Sequence, residues 1–393
     1  MCLNFMGFRF HKHFFKLLKF LNMKLSKKIS FSMAITMAIF HLPYTINAQQ
    51  IAAPTESETS VKAIEIVEDE EEKKGLQISG FVDVYYQYNF NKQPLPTSFT
   101  ETHNSFTPGM ANVVFAQEGK KVGFVADLAV GPRAEVANGY TGTTLAAIKQ
   151  LYVTYSPSEK LTFTLGNFGT HVGYEVIDAP ANVNYSTSYM FSNGPFYHTG
   201  LKANYALSEN FGAMIGVFDD TDSKIDEISG KHIGAQFSYE KNGLAAYLNY
   251  IGGKDDDSDT DNEIFGHQVD LTATYAVSDA LGLGLNTTIK NVSPDKGDGA
   301  SWFGAALYAN YAFSELFTLG FRGEFIDDKD GLILGLPDNS ITSITLSGNF
   351  KIDNLTLIPE IRLDSSKEDA FLDKNGSPTG TSPSLIFAAV YAF

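Results

Sequence analysis

Apolar and polar residues alternate at period two through most of the chain. In the first such stretch Ile78, Val82 and Val84 fall on one face, and Asp83 and Gln87 fall on the other. Because successive side chains of a strand point to opposite faces, this alternation predicts β-strands with one apolar and one largely polar face. Sixteen strands are predicted, at 76–89, 110–118, 122–130, 147–156, 161–168, 198–206, 211–219, 231–240, 244–252, 264–277, 281–290, 301–313, 316–326, 341–352, 355–364 and 384–393.

The connections between these strands alternate in length. Those that follow odd-numbered strands are long and polar, as at 131–146 and 327–340, whereas those that follow even-numbered strands are tight, as at 119–120 and 314–315. A membrane barrel has one rim of short periplasmic turns and one rim of long extracellular loops. We therefore predict an all-β fold over 76–393, a transmembrane antiparallel up-and-down β-barrel of about 16 strands with a long inward-folded loop. A soluble sandwich is the alternative, and it does not account for the alternating loop lengths.

The last predicted strand has an apolar face that reaches the C-terminal residue. Leu385, Phe387, Ala389, Tyr391 and Phe393 share that face. In a soluble protein this would be a buried terminal strand, whereas in a barrel it pairs with the first strand and leaves no open edge. We expect the barrel arrangement. The terminal aromatic residue also resembles the signal read by the outer-membrane assembly machinery.

An aromatic residue recurs close to the tight turns. Tyr205, Tyr275 and Tyr311 are each followed by Ala, one apolar residue and a turn that begins with Ser. Aromatic rings at one height are typical of a bilayer interface. A spacing of about 36 residues between three of the tyrosines would also suit a propeller or solenoid, but no blade signature accompanies it. The predicted aromatic girdle consists of Tyr155, Tyr205, Tyr239, Tyr275, Tyr311, Tyr391 and Phe393.

Residues 1–48 have the pattern of a signal peptide. Basic residues, the last of them Lys28, precede an apolar run at 29–40 that is too short to span a bilayer, and Ala48 is the expected residue before cleavage. This signal begins naturally at Met23. The residues before it are either an amphipathic helix or the result of a start codon placed too far upstream, and we favour the second explanation.

Charge divides the chain into a basic leader and an acidic remainder. The whole sequence has 29 Lys and Arg against 45 Asp and Glu, and the seven basic residues of 1–48 are accompanied by no acidic ones, so the remainder carries −23. A chain this acidic repels phosphates, which excludes nucleic acid as a partner. Residues 49–75, with an acidic run at 68–72, are predicted to be a disordered periplasmic tail. The only cysteine, Cys2, lies in the predicted signal peptide, so the mature chain has no disulfide or thiolate site.

Charged residues of both signs lie on the face opposite to the apolar one. If the apolar face meets lipid, these side chains line the lumen, where they suit a water-filled channel. The predicted pore-lining residues are Asp83, Asp127, Lys202, Glu240, Asp270, Lys290, Arg322, Glu324, Glu360, Arg362 and Asp364. Seven of them are acidic and four are basic. This balance predicts a weak preference for cations.

The connection 169–197 is the longest, and it is the long connection that is rich in both apolar and aromatic residues. A segment of this kind would expose a large apolar patch if it extended into water, so we expect it to fold into the lumen and narrow it. Packing against neighbouring external loops is the alternative. The predicted constriction-loop residues are Tyr174, Glu175, Asp178, Asn184 and Tyr185.

Several short runs carry a resemblance to a known family. They are Gly173-Tyr174-Glu175, Asn184-Tyr185-Ser186, Ser188, Pro195 and His198-Thr199-Gly200, after an opening Gly80-Phe81-Val82-Asp83-Val84-Tyr85 strand. With this spacing the chain resembles the putative β-barrel porin-2 (OmpL-like) family of outer-membrane proteins over about 75–393. The resemblance implies a porin-like barrel in the outer membrane of a Gram-negative bacterium, and it implies no particular substrate.

Sequence signatures of catalysis and of metal binding are absent. The five histidines beyond the leader are dispersed, and 255–261 lacks the Gly and Glu of a calcium loop. We therefore predict a porin without enzymatic activity, cofactor or metal, whose partners are outer-membrane lipid, small hydrophilic solutes and the assembly machinery. Analogy with porins suggests a homotrimer. The alternatives are an outer-membrane hydrolase of the lipase or deacylase type, and a closed structural or adhesin barrel.

Overall fold

A computed structural model describes residues 75–139, 143–226, 230–257, 262–294 and 298–393. The predicted signal peptide and, apart from Gly75, the predicted acidic tail lie outside these ranges. Sixteen strands form one closed antiparallel barrel, which confirms the predicted fold class and strand count. The barrel strands are β1 (Gln77–Asn89), β2 (Ser105–Glu118), β3 (Val122–Val130), β4 (Ile148–Ser158), β5 (Leu161–Gly169), β6 (Tyr197–Ala206), β7 (Phe211–Phe218), β8 (His232–Lys241), β9 (Leu244–Asp257), β10 (Asn262–Ala276), β11 (Leu281–Pro294), β12 (Ala300–Ser314), β13 (Phe317–Asp328), β14 (Asn339–Ile352), β15 (Leu355–Ser366) and β18 (Thr381–Ala392). A short hairpin of β16 (Phe371–Leu372) and β17 (Pro378–Thr379) lies in the connection between β15 and β18.

The barrel closes between its first and last strands. β1 pairs with β18 in antiparallel register, with Phe81 opposite Ala392. One residue beyond this register, the main-chain groups of Gly80 and Phe393 exchange two hydrogen bonds of 3.0 and 2.9 Å. The apolar last strand therefore has a partner on both sides, and its backbone polar groups are satisfied as a bilayer requires.

Side chains along the strands alternate between the lumen and the outer surface. In β1, Phe81, Asp83 and Tyr85 are buried, whereas Val82 and Val84 are exposed. Exposed outer positions on the other barrel strands are likewise mostly Leu, Ile, Val, Phe and Tyr. An apolar outer face around a polar interior is the arrangement of a barrel that is surrounded by lipid.

Some strands run farther than the sequence pattern predicts. β9 continues to Asp257 and β10 begins at Asn262, so most of the predicted loop 253–263 is paired strand. β2 likewise begins at Ser105 rather than at 110. The polar residues there do not end the strands, because a ladder needs only main-chain partners.

The described helices are short. They are α1 (Pro132–Asn138), α2 (Tyr189–Ser192) and two 3-10 helices, Thr144–Ala147 and Ala179–Ala181. α1 begins with Pro132, whose missing N–H has no helical partner to lose, and it is followed by Gly139 in the left-handed conformation with φ 68°. The Ser188 side chain caps α2 by accepting a hydrogen bond from the Phe191 N–H. None of the helices in the described ranges has the length and apolar character to cross a membrane.

Candidate functional site: the lumen and its plug

Residues 170–196, which we call the plug, connect β5 to β6 and lie inside the barrel. Their atoms form hydrogen bonds with inward-facing side chains of β1, β10, β13, β14 and β15. Tyr185 and Tyr189 in the plug are fully buried. Because these five strands belong to different parts of the wall, a segment bonded to all of them crosses the lumen.

Aromatic side chains of the plug pack against the wall. The Tyr174 ring stacks on that of Tyr308 in β12, with centroids 4.0 Å apart and an interplanar angle of 16°. Tyr189 belongs to the same buried cluster, together with Trp302. Tyr185 contacts Tyr85 in β1, with centroids 5.5 Å apart. These contacts explain why the plug is rich in aromatic residues, since each ring buries a large apolar area.

Wall carboxylates hold the plug by its main chain. Glu360 in β15 accepts hydrogen bonds from the consecutive amides 185–186, at 2.7 and 3.1 Å. Glu324 in β13 accepts them from the amides 189–190, at 3.0 and 2.8 Å. Hydrogen bonds to an ionised acceptor are stronger than those between neutral groups, so these two carboxylates fix the middle of the plug on the wall.

Wall arginines hold carbonyl oxygens of the same segment. Arg322 Nη1 donates to the Ser186 carbonyl at 2.6 Å and to Glu175 Oε1 at 2.5 Å. Arg362 Nη1 donates to the Thr187 carbonyl at 2.8 Å. Both guanidinium groups are buried, so each positive charge is balanced by neighbouring carboxylates and carbonyls rather than by water.

Two adjacent rows across the wall contain Arg322 with Arg362 and Glu324 with Asp364. Thr345 in β14 lies opposite Arg322 on one side and opposite Arg362 on the other. The next row toward the long-loop rim consists of Glu324, Ser343 and Asp364. Arg362 Nε donates to Asp364 at 2.8 Å, which links the two rows. The wall of β13 to β15 therefore presents donors and acceptors side by side, as a peptide main chain requires.

A buried lysine joins the opposite wall to the plug. Lys149 Nζ lies 2.6 Å from Asp127 Oδ2 in β3 and 2.7 Å from Asp178 Oδ1 in the plug. The Lys149 and Asp127 side chains are buried, whereas that of Asp178 is 23% exposed. Through these two ion pairs, Lys149 connects the first half of the plug to the β3–β4 side of the barrel.

Lys149 is absent from the predicted pore-lining set because strand parity places it on the outer face with Leu151. The pairing of β3 with β4 skips one residue at this point: Asp127 lies opposite Gln150, and the following residue lies opposite Ile148. A bulge of this kind redirects a side chain. Here it turns the lysine into the lumen, and the sequence pattern gives no sign of it.

A second buried cation comes from the connection between β3 and β4. Arg133 in α1 donates to the Ile177 carbonyl of the plug at 3.0 Å, and its Nε lies 3.6 Å from Asp83. Its guanidinium group is 4.7 Å from the Phe99 ring centroid and 4.9 Å from that of Tyr185. The sequence pattern predicts an external loop at 131–146, whereas in the structure α1 folds inward over the plug.

The C-terminal end of the plug is held by the connection between β7 and β8. Asp222 Oδ1 accepts hydrogen bonds from the amides of Phe196 and Tyr197, at 2.7 and 3.0 Å. Burial raises the pKa of Asp222 to about 6. Burial also lowers the pKa of the adjacent Lys224 to about 8. Lys224 Nζ lies 3.9 Å from the Tyr197 ring centroid and donates to the Asn138 carbonyl.

Eight of the eleven predicted pore-lining side chains are buried inside the barrel. They are Asp83, Asp127, Asp270, Arg322, Glu324, Glu360, Arg362 and Asp364. Lys202 and Lys290 are partly buried, and Lys202 Nζ lies 4.3 Å from the Phe168 ring centroid. Glu240 is exposed and accepts a hydrogen bond from the Tyr247 hydroxyl. Most of these charges therefore contact the plug or one another rather than open water.

The remaining predicted constriction-loop contacts also join the plug to the wall. Asn184 Nδ2 donates to Ser347 Oγ at 2.7 Å, and that hydroxyl donates to Glu360 at 2.7 Å. Asp270 in β10 accepts the Gly173 amide at 3.0 Å. The plug is thus bonded to the wall close to both of its ends and at its centre.

The predicted aromatic girdle lies on the outer surface. Six of its members are exposed, namely Tyr155, Tyr205, Tyr275, Tyr311, Tyr391 and Phe393. Tyr239 is partly buried, and its ring centroid is 4.9 Å from that of Phe211. Each of these residues lies within a few positions of a short turn or of the C-terminus, so they share one rim.

Small cavities remain between the plug and the wall. One is lined by Tyr174, Asn182, Tyr308 and Asn310, and another by residues that include Gln268. Each has room for about one water molecule. At these two places the plug packs closely against the wall.

A closed antiparallel barrel with an apolar outer face, a charged interior and an inward-folded loop defines a porin-type outer-membrane protein. Residues 75–393 match the family model described as putative beta-barrel porin-2, OmpL-like, and the chain belongs to that family. No curated protein sequence matches the chain.

Solved porin structures share this fold. An anion-selective porin from Comamonas acidovorans is 14% identical, with a TM-score of 0.58 over 81% of this chain and 99% of that one. The outer membrane channel DcaP of Acinetobacter baumannii is 15% identical, with a TM-score of 0.57 over 81% and 97%. The trimer form of OmpT, an outer membrane protein of Vibrio cholerae, is 9% identical, with a TM-score of 0.55 over 81% and 99%. At these identities the similarity concerns the fold alone.

Proposed function

We propose that this protein is an outer-membrane porin through which small hydrophilic solutes diffuse passively, with a weak preference for cations. The observation that carries the proposal is the plug, a loop bonded to the wall on several sides of a charged lumen. Because the plug is bonded to several sides of the wall and narrows the lumen, the unitary conductance should be small and should depend on how the plug is seated.

The proposed cation preference rests on the balance of lumen charges. Lys149 and Arg133 add two positive charges to the predicted set, while Glu175 and Asp178 in the plug add two negative ones. The excess of three acidic groups is therefore unchanged. The preference should be weak because most of these groups are paired with one another, as in the ion pair of Arg322 with Glu175.

Export and assembly complete the proposal. Residues 1–48 would direct secretion and be removed, and the last strand would be read by the outer-membrane assembly machinery. N-terminal sequencing of the mature protein tests the first step, since an intact Met1 would contradict it. A homotrimer is supported only by a structural neighbour described in its trimer form, and native mass spectrometry in detergent would measure the oligomeric state.

Conductance in planar bilayers tests the function. We expect small, stable openings with a reversal potential that favours cations, and larger openings after deletion of residues 176–190. Deletion of 373–376, an exposed turn between β16 and β17, is the matched control and should leave conductance unchanged. An electrically silent barrel both with and without 176–190 would refute the porin function, and ester hydrolysis by the purified protein would indicate a hydrolase instead.

A further inference from the structure

The segment 185–190 of the plug receives most of its main-chain hydrogen bonds from the wall. Apart from α2, which begins at Tyr189, it forms no regular secondary structure. Glu360 binds two of its consecutive amides and Glu324 binds two others. Wall side chains, rather than the local fold of the segment, therefore determine where it lies.

Both carboxylates must be ionised to bind the segment in this way. In Glu324, Oε2 accepts the amide of Tyr189 and Oε1 accepts that of Met190. An ionised carboxylate has acceptors on both oxygens, whereas a protonated acid or a glutamine side chain presents a donor at one of the two positions. Neutralising either glutamate therefore places a donor against an amide N–H of the plug.

We propose that Glu324 and Glu360 are the positioning residues that set the aperture of the channel, because they seat segment 185–190 across the lumen. The proposal rests on the proposed porin function. Loss of one charge-assisted hydrogen bond shifts the equilibrium between the seated and the released segment by about tenfold or more. The charge-neutral variants should therefore widen the pore without altering the barrel wall.

Accessibility of residue 186 tests the seating independently of conductance. Ser186 is fully buried, and its hydroxyl has no hydrogen-bond partner among the described residues, so Ser186→Cys is a mild change. In a Cys2→Ser background this introduces the only thiol of the chain. We expect a maleimide to modify it about tenfold faster or more in Glu324→Gln and Glu360→Gln, because modification requires local release of the segment.

Asp328→Asn is the matched control. Asp328 is also buried in β13 and also accepts consecutive amides, those of Ile333 and Leu334 at 3.0 to 3.1 Å, but these belong to another loop. The control variant should leave the modification rate of the cysteine at its parental value. Equal rates in the parent and in the two glutamate variants would overturn the proposal, as would an increase of the same size in the control.

Conductance at neutral pH provides the second measurement. The double glutamine variant should have a higher conductance than the parent, because neither pair of plug amides is then bound by a carboxylate.

The conservative variant Glu360→Asp keeps the charge, so its conductance should stay closer to that of the parent than the conductance of Glu360→Gln does. Unchanged conductance in the double variant would overturn the role in the aperture. If the parent and the 176–190 deletion are both silent while the thiol still reacts faster in the glutamate variants, the porin function is refuted and the seating role stands. A difference in electrophoretic mobility between heated and unheated samples shows that each variant contains a folded barrel.

Discussion

Removing one partner of the buried ion pair between Arg322 and Glu175 should destabilise the protein strongly, and Arg322→Met tests this. The two side chains are 0% and 4% exposed, and Arg322 also donates to the Ser186 carbonyl and to Thr345 Oγ1. Removing the cation leaves a carboxylate in a buried site whose remaining described bond comes from the Ser188 amide. Breaking one side of a buried pair costs about 3–5 kcal/mol of unfolding free energy.

The double variant Arg322→Met/Glu175→Gln separates the interaction energy of the pair from the cost of leaving one buried charge unpaired. Both partners are then neutral, and the glutamine oxygen can still accept the amide of Ser188. Replacing a whole buried pair by neutral groups costs much less than breaking it, so we expect a coupling energy of at least about 3 kcal/mol between the two sites. Lys367 and Glu368 form an exposed pair that serves as a control, and a cycle there should give a coupling energy near zero.

Unfolding can be followed through the fluorescence of a single tryptophan. Trp302 is the only tryptophan of the chain and is buried in the cluster that contains Tyr174 and Tyr308. Denaturant titration of the protein in lipid vesicles gives the unfolding free energy of each variant, provided that the slope is unchanged. A cost below about 1 kcal/mol for Arg322→Met would equal that of an exposed pair and refute the reasoning, as would additive effects in the double variant.

Two further predictions concern the ends of the plug and of the chain. Because the pKa of Asp222 is raised to about 6 in the folded protein, this group binds its proton more tightly in the folded than in the unfolded state. Its contribution to stability should be greatest below the ordinary aspartate pKa and should fall as the pH rises to about 6; Asp222→Asn should remove this pH dependence in thermal unfolding scans. Removing Phe393 should delete the two hydrogen bonds to Gly80 and reduce the yield of assembled barrel in outer-membrane fractions more than it alters conductance, and normal assembly would count against a role as assembly signal.

The barrel could be predicted from the sequence because the patterns that specify its strands and turns are local. Period-two alternation, tight turns at every second connection and an apolar last strand lead directly to sixteen strands and a closed wall. The lumen side of a regular strand follows from the same parity, which is why Asp83, Glu324 and Glu360 could be named in advance as inward-facing.

The contacts of the plug could not be predicted because they are not local. No pattern in the sequence links Tyr185 to Glu360, and a one-residue bulge reverses the parity that would place Lys149 outside. A signal for α1 does exist, since Pro132 and Gly139 flank a helix-length segment, but nothing in those residues shows that Arg133 turns inward.

The sequence distance across the plug contacts affects how the protein assembles. The plug follows the fifth strand, whereas the Glu360 carboxylate that binds the Tyr185 amide is 175 residues farther along the chain. Contacts between residues so far apart form late, because the entropy of closing the intervening chain must be overcome first. The nascent barrel consequently has a lumen without a finished interior until its C-terminal strands arrive. We therefore expect the barrel wall to close and the plug to reach its final position at the same late stage of assembly.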